Sequence, residues 1–230
     1  MFYQKHKSVL DEAITACEKR HYWSPFVESP SRHLHPEGAH EAGKIAFERQ
    51  LNASFELSQP GEIGRTGFEV SPYTQQPLGV DYPKSDTEQI VMASKTAGQS
   101  WRKICPKERA GICLEMAFAL EKQCFENAYA TMHTAGQAFL MAYSGSGPNA
   151  LDRGVEAIAY ALKAMRDVPN SGSWTKPFGK AGPVSLSKSY RLIPRGIAAV
   201  ICCATFPMWN AYPAIFANLA TGNSAIVKPH

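Results

Sequence analysis

Acidic residues are missing from the last part of the chain. After Asp167 there is no Asp or Glu, while Lys176, Lys180, Lys188, Arg191, Arg195 and Lys228 remain. That segment is +6 in a protein of net charge +4, so residues 1–167 carry −2. A field of one sign attracts anions, for instance a phosphorylated ligand. Acidic counterparts in a C-terminal half beyond these residues would neutralise it equally well. Charge is sparse overall, at 19% of residues, against 44% apolar, which excludes long-range disorder and leaves enough for a core. No C-x-x-C pair occurs among Cys17, Cys105, Cys113, Cys124, Cys202 and Cys203. Scattered in this way they read as buried thiols of a reducing compartment, not a disulfide framework. Long apolar runs are absent too. The longest, Ile197 to Ala204, is far too short to cross a bilayer. Met1 to Lys19 mixes Lys and Glu and does not read as a signal peptide. The expected location is the cytoplasm. No internal repeat or low-complexity tract is visible.

What is present divides at a Gly-rich linker, "SQPGEIGRTG" (58–67). Before it, the spacing predicts one helix from a Ser8 cap to Arg20 and another over about 36–52, separated by the loop "YWSPFVESPSRH". After it, "FEVSPYTQQPLGVDYP" reads as a short strand, a turn and an extended exit. Ser85-Asp86-Thr87-Glu88 fits a capping box, predicting a helix that stops at Gly98. Pro106 can start the next helix, because its missing N–H costs nothing there. Ala110, Cys113, Ala117, Leu120, Cys124 and Ala128 then keep the helical period. Asn149 is a candidate cap for a third helix, with Leu151, Val155, Ile158, Leu162 and Met165 on its buried stripe. "PNSGSWTKPFGKAGP" (169–183) breaks the pattern, and Val184 to Ile193 looks extended.

From Gly196 the character changes. Ile197 to Cys203 is continuously apolar, as expected of a strand buried on both faces of a parallel sheet. A candidate helix covers Trp209 to Ala220, Gly222-Asn223 turns the chain, and Ser224 to Val227 begins a second strand. This is a β-α-β unit. Such units bind ligands at the carboxyl ends of their strands. Those ends are Ala204-Thr205-Phe206 and Lys228-Pro229, which should share one rim of the sheet.

The stretch "PRGIAAVICCATFPMWNAYPAIFANLATGNSAIVKPH" resembles the first Rossmann unit of the aldehyde dehydrogenase superfamily. That pattern runs from a P-x-G-V strand through a W-N-F-P turn to A-x-x-x-G-N and a strand ending K-P. Weaker matches follow in order upstream: "SWRKICPKERAGICLEMAFALE" for the W…E-R…L helix start, "HTAGQAFLMAYSGSGPNALDRGVEAIAYAL" for the E-x-G-K helix-loop-helix, and "SKSYRLIPRG" where the family has its oligomerisation strand. The likeness covers about 68–230, with the final forty residues the specific part. The extension bearing "YWSPFVESPS", with the "FPMWN" and "KPH" spellings, is most similar to the aldehyde dehydrogenases of phenylacetic acid degradation, the PaaN type.

The resemblance implies an α/β fold: the N-terminal part of an aldehyde dehydrogenase fold, a helical extension plus an incomplete Rossmann-like parallel sheet. Residues 1–67 would be the extension. Residues 68–230 would be the front of the NAD(P)-binding domain, with an oligomerisation strand near 184–193. It also implies oxidation of an aldehyde by a cysteine nucleophile, with hydride passing to NAD or NADP and a glutamate activating water. Lys228 matches the lysine that bonds the adenosine ribose hydroxyls. Ile201, Cys203, Ala204 and Thr205 would line the cofactor. Counting back from Lys228 without gaps puts W-N-F-P on Ala204-Thr205-Phe206-Pro207, so Thr205 takes the place of the oxyanion asparagine. The alternative is Asn210 in "WNAYP", which would require deleting five residues, more than a helical turn, before Gly222. Losing an oxyanion donor typically costs about 2.7–4 kcal/mol, and a Thr hydroxyl can still donate one bond. A homo-oligomer acting on a small aldehyde, with no nucleic-acid or membrane partner, is expected.

Other candidates have plainer readings. Cys202 and Cys203 lie at the first strand and read as inert buried thiols. His33, His35 and His40 with Glu37 and Glu41 match no zinc spacing. Gly145-Ser146-Gly147 follows a helix rather than a strand, so it reads as a turn and not a phosphate loop. The Lys176 to Arg195 segment lacks the aromatic interleaving of a nucleic-acid groove and reads as a solvated arm. Neither the nucleophile nor the glutamate can be placed, so the 230 residues alone are expected to be inactive and marginally folded, as a truncated product or fragment. The contrasting expectation is a non-catalytic assembly module derived from a degenerate dehydrogenase.

Overall fold

The computed structural model describes all residues, Met1–His230. Helices dominate: α1 (Phe2–Lys19), α2 (Ala39–Glu48), α3 (Thr87–Trp101), α4 (Pro106–Glu121), α5 (Cys124–Ala135), α6 (Phe139–Ser146), α7 (Pro148–Arg166) and α8 (Pro207–Ala220). The strands form three separate pairs: antiparallel β1 (Glu62–Thr66) with β2 (Tyr82–Ser85), antiparallel β3 (Ser171–Pro177) with β4 (Pro183–Ser189), and parallel β5 (Ile197–Ile201) with β6 (Ser224–Lys228). No helix is long and apolar enough to cross a membrane.

Helix α7 is the hub, packing against α1, α4, α6 and α8. Its predicted stripe is real: Leu151, Val155, Ile158 and Leu162 are all buried, beside Leu10 of α1, Leu114 of α4 and Phe216 of α8. Close approach to α8 explains Gly154, where an added Cβ would stand 2.6 Å from the Phe216 ring. The stretch expected as a linker, 58–67, contains β1, and residues before it share this core, because Leu10, Ile14 and Phe26 belong to the same cluster.

Adjacent residues in the first turn of α4 serve two helix ends of opposite polarity. The Glu108 carboxylate accepts from the N–H groups of Phe2 (2.8 Å) and Tyr3 (3.2 Å), at the positive end of α1. The guanidinium of Arg109, 5% exposed, donates to the Ala220 carbonyl (3.0 Å) at the negative end of α8 and to the Ile104 carbonyl. No carboxylate pairs with it, and burial holds its pKa below the ordinary arginine value. Trp101 adds an indole N–H to the Leu219 carbonyl at 2.8 Å. Together they fix where α8 stops and β6 begins.

Several sequence-based expectations shift. Asp86, not Ser85, caps α3, its side chain accepting from Gln89 N–H at 3.0 Å, because Ser85 is still held in β2 against Glu62. Gly98 does not stop α3, which runs on to Trp101. Helix α1 starts at Phe2, so Ser8 lies inside it, and α2 is shorter than its apolar spacing suggests. The stripe from Ala110 to Ala128 belongs to two helices, parted at Lys122-Gln123. Asn149 lies within α7, whose first turn begins at Pro148, and bonds the Ser144 hydroxyl at 2.7 Å. Residues 171–177, which break the sequence pattern, form β3. The β5 run is not buried on both faces. Val200 is, while Ile201 is 73% exposed, because only α3 and α8 pack against this strand pair.

Replacing Arg109 with Ala would leave the Ala220 and Ile104 carbonyls without their charged donor. We expect a loss of about 3 kcal/mol, read as a shifted midpoint in urea denaturation.

Candidate functional site

The strand pair sets the geometry. Parallel pairing runs from Ile197↔Ser224 to Ile201↔Lys228, and Cys202 N–H donates to the Lys228 carbonyl at 3.0 Å. Both carboxyl ends therefore leave the sheet on the same rim. The A-T-G-N segment fixes this register. Thr221 Oγ1 donates to the Ala217 carbonyl at 2.7 Å, closing α8, and Gly222 turns the chain at φ 92°. At Gly222 an added Cβ would meet Pro194 at 2.9 Å and Arg109 at 3.1 Å, so only glycine fits. Asn223 Oδ1 then accepts from Gly196 N–H at 2.9 Å, just before β5. One side chain thus ties the start of the first strand to the start of the second.

Beyond Ile201 the chain passes through Cys203, Ala204 and Thr205 without helical structure and enters α8 at Pro207, two residues earlier than the apolar pattern predicts. Thr205 is exposed, and its carbonyl accepts from the Gln137 side-chain amide. The other amide atom, Gln137 Oε1, is buried without a partner. Phe206 packs against Gly145, where an added Cβ would come within 2.8 Å of its ring. Asn210 lies in the first turn of α8, exposed, its N–H bonded to the Phe206 carbonyl at 2.9 Å. Lys228 is exposed and has no ion-pair partner. Its ammonium acts on the Cys202 thiol: burial raises that thiol's pKa, the Cys203 thiol adds to the rise, and Lys228 opposes it.

The rim thus gathers Ile201, Cys203, Ala204, Thr205 and Lys228, with Asn210 one helical turn further on. Its polar inventory is an ammonium, a hydroxyl, an amide and the free N–H groups of a helix start, with no carboxylate from residues 168–230. Such a set of donors suits a hydroxylated, anionic ligand.

The cysteines separate by environment. Cys113 and Cys124 are buried, and burial pushes both thiols up to about 12. Cys105 and Cys203 are exposed, which corrects the reading of all six as buried. Among the histidines, His35 Nε2 meets the Ser29 carbonyl at 2.8 Å, and the His40 ring packs on Phe125 and Phe139. No group of three or more His, Cys, Asp or Glu side chains is disposed to hold a metal ion. Gly145-Ser146-Gly147 is the α6–α7 junction, where the Ser146 hydroxyl bonds that of Thr131 at 2.7 Å. The β3–β4 hairpin is exposed at every position, with Lys176 over the Phe178 ring and Lys188 over that of Trp174.

Trp101, Glu108, Arg109 and Asn223 escaped the sequence reading as individual residues. Their motifs were visible, but their hydrogen-bond partners lie far off in sequence or across the strand pair.

Residues 63–230 match the family described as Aldehyde dehydrogenase family. Among solved structures, an NAD-dependent aldehyde dehydrogenase from Burkholderia multivorans is similar over 100% of the chain, at 44% identity and a TM-score of 0.95. The chain spans 41% of that protein. A 1-pyrroline-5-carboxylate dehydrogenase from Thermus with bound NAD matches over 90% of the chain and 40% of its own length, at 16% identity and TM-score 0.63. An aldehyde dehydrogenase from Bacillus cereus matches over 80% of the chain and 37% of its own length, at 23% identity and TM-score 0.59. The last two likenesses concern the fold alone. No curated protein matches the chain.

At pH 8 a thiol-alkylating reagent should label Cys105 and Cys203 in the native protein and leave Cys113 and Cys124 unmodified until denaturant is added. Peptide mass spectrometry reads the order; early labelling of Cys113 would contradict the packing described.

Proposed function

The chain belongs to the aldehyde dehydrogenase family, and from that premise we propose that it forms the cofactor-binding front of an enzyme that oxidises an aldehyde or semialdehyde to the acid with NAD or NADP. The observation that carries this is the Ile201↔Lys228 register, which delivers both strand ends to one rim. Lys228 would hold the adenosine ribose hydroxyls, its three N–H donors being uncommitted in the fold. Ile201, Cys203 and Ala204 would form the wall beside the dinucleotide. The bound nicotinamide would supply the hydride acceptor. Thr205 would offer its hydroxyl to the developing oxyanion. It is favoured over Asn210 because it stands in the irregular turn after β5, whereas Asn210 is within α8. The NAD-dependent relative from Burkholderia multivorans supports NAD as the acceptor.

The finer reading rests on sequence likeness: a PaaN-type enzyme of phenylacetate or other aromatic catabolism. Free thiols throughout suit a cytoplasmic setting. Assembly into a homo-oligomer through the β3–β4 hairpin is proposed on its fully exposed, partly apolar surface, where Trp174 and Leu186 are 42% and 51% exposed. That same surface is what favours a second reading, a non-catalytic assembly module.

These residues place no cysteine nucleophile and no general-base glutamate. The purified 230-residue protein is therefore expected to bind NAD without reducing it when given phenylacetaldehyde. Lys228→Ala should weaken NAD binding about tenfold, the equivalent of one charge-assisted hydrogen bond, measured by isothermal titration calorimetry. Unchanged affinity would remove Lys228 from the site, and aldehyde-dependent NADH formation would overturn the expectation of inactivity.

A further inference from the structure

A cavity of about 490 Å³ opens between the second half of α1 with the segment that follows it, α7 and the first turn of α8. That volume is in the range of small-molecule sites. Part of its wall comes from residues 20–28, which precede the family-matched region at 63–230. This wall is held rigidly: Ser24 Oγ bonds Asp152 Oδ1 at 2.8 Å, Phe26 is buried against Phe118, and the Val27 carbonyl accepts from Tyr143 OH at 3.2 Å. A preformed pocket loses less on binding than one that must order itself.

Asp152 is only half used by the fold. Its side chain is drawn into α7's buried surface, the residue being 8% exposed, and it lines the cavity. One carboxyl oxygen meets Ser24; the other has no partner from the protein. Burial raises its pKa to about 6, with Ser24 opposing and Glu28 adding to the rise. At neutral pH it is therefore mostly ionised in a setting that disfavours the charge, a cost that a bound hydrogen-bond donor or cation would relieve.

The remaining lining fixes the sign. Arg153 is committed to Glu156 by a salt bridge, which leaves Asp152 and Glu28 facing the guanidinium of Arg20 and the imidazole of His21. Arg20 is exposed among the lining residues, where its charge opposes that of the two carboxylates. Trp23, Tyr160 and Trp209 line the same space. Aromatic side chains beside a desolvated carboxylate are the chemistry of cation recognition. We propose that this cavity binds a small organic ammonium ion, its N–H groups on Asp152 and its body against the Trp23, Tyr160 and Trp209 rings. The assignment does not depend on the hydride-transfer reading.

Benzylammonium is a suitable probe, with benzyl alcohol and benzoate as its neutral and anionic counterparts. Tryptophan fluorescence reports binding, because Trp23 and Trp209 stand in the wall. The purified protein should bind benzylammonium saturably, and at least about tenfold more tightly than either counterpart. Asp152→Asn keeps the acceptor for Ser24 and removes a disfavoured charge, so it should fold, yet bind benzylammonium about tenfold more weakly. Arg20→Gly should act in the opposite direction. It removes the like charge from the lining, and glycine suits the φ of 56° at that position, so folding is retained and affinity should rise severalfold. Should Asp152→Asn fail to fold, Arg20→Gly alone decides. Equal binding of benzoate, unchanged affinity in Asp152→Asn, weaker or unchanged affinity in Arg20→Gly, or no saturable binding at all would each overturn the assignment.

Discussion

The structure depends most on one buried cation that has no anionic partner. Arg109 is neutralised by peptide dipoles: the Ala220 carbonyl at the end of α8 and the Ile104 carbonyl of the preceding turn. An isolated charge in a protein interior is costly, and carbonyl oxygens at a helix C-terminus offset that cost with aligned partial negative charge. The arrangement is also geometrically exacting, because Gly222 must pass between Pro194 and the same guanidinium. Position and direction of β6 follow from it, and with them the place of Lys228.

From there the path to the rim is short. Thr221 ends α8, Gly222 turns, and Asn223 reaches back to Gly196, so the two parallel strands start level and finish level. The A-T-G-N segment, read in sequence as a turn, is in structure also a register device. The functional reading of Lys228 rests on that device, since a slip of one residue would send its side chain to the other face.

Much of this was legible in the residues because the governing forces were local. Pro106 marks the start of α4, since proline is favoured at the first helical position, where its missing N–H costs nothing. The Leu151–Leu162 stripe declares the buried face of α7, and the Ile197 and Ser224 runs declare a parallel pair. Where local signals conflict with pairing, the reading fails. Ser85 has a good cap side chain, but β2 holds its backbone, and Asp86 takes the role one residue later. The 171–177 stretch has the Gly, Ser, Pro and Lys content of a loop; only its register with β4 makes it a strand. The break at Lys122-Gln123 carries no Pro or Gly, and the apolar period resumes in phase at Cys124. The roles of Glu108, Arg109 and Asn223 were out of reach for a different reason, because their partners lie 106, 111 and 27 residues away in the chain.

The distance between Glu108 and the head of α1 has a consequence for synthesis. Helix α1 is made before α4, with no side-chain cap at Met1 and no acidic residue in its first turn. The carboxylate that satisfies its leading N–H groups arrives 106 residues later. Until then the helix can only fray and re-form, because closing so long a loop has to precede the reward of the contact. Its apolar face, with Leu10 and Ile14, stays uncovered for the same interval. The nascent chain therefore passes through a window in which α1 is a segment in need of a chaperone.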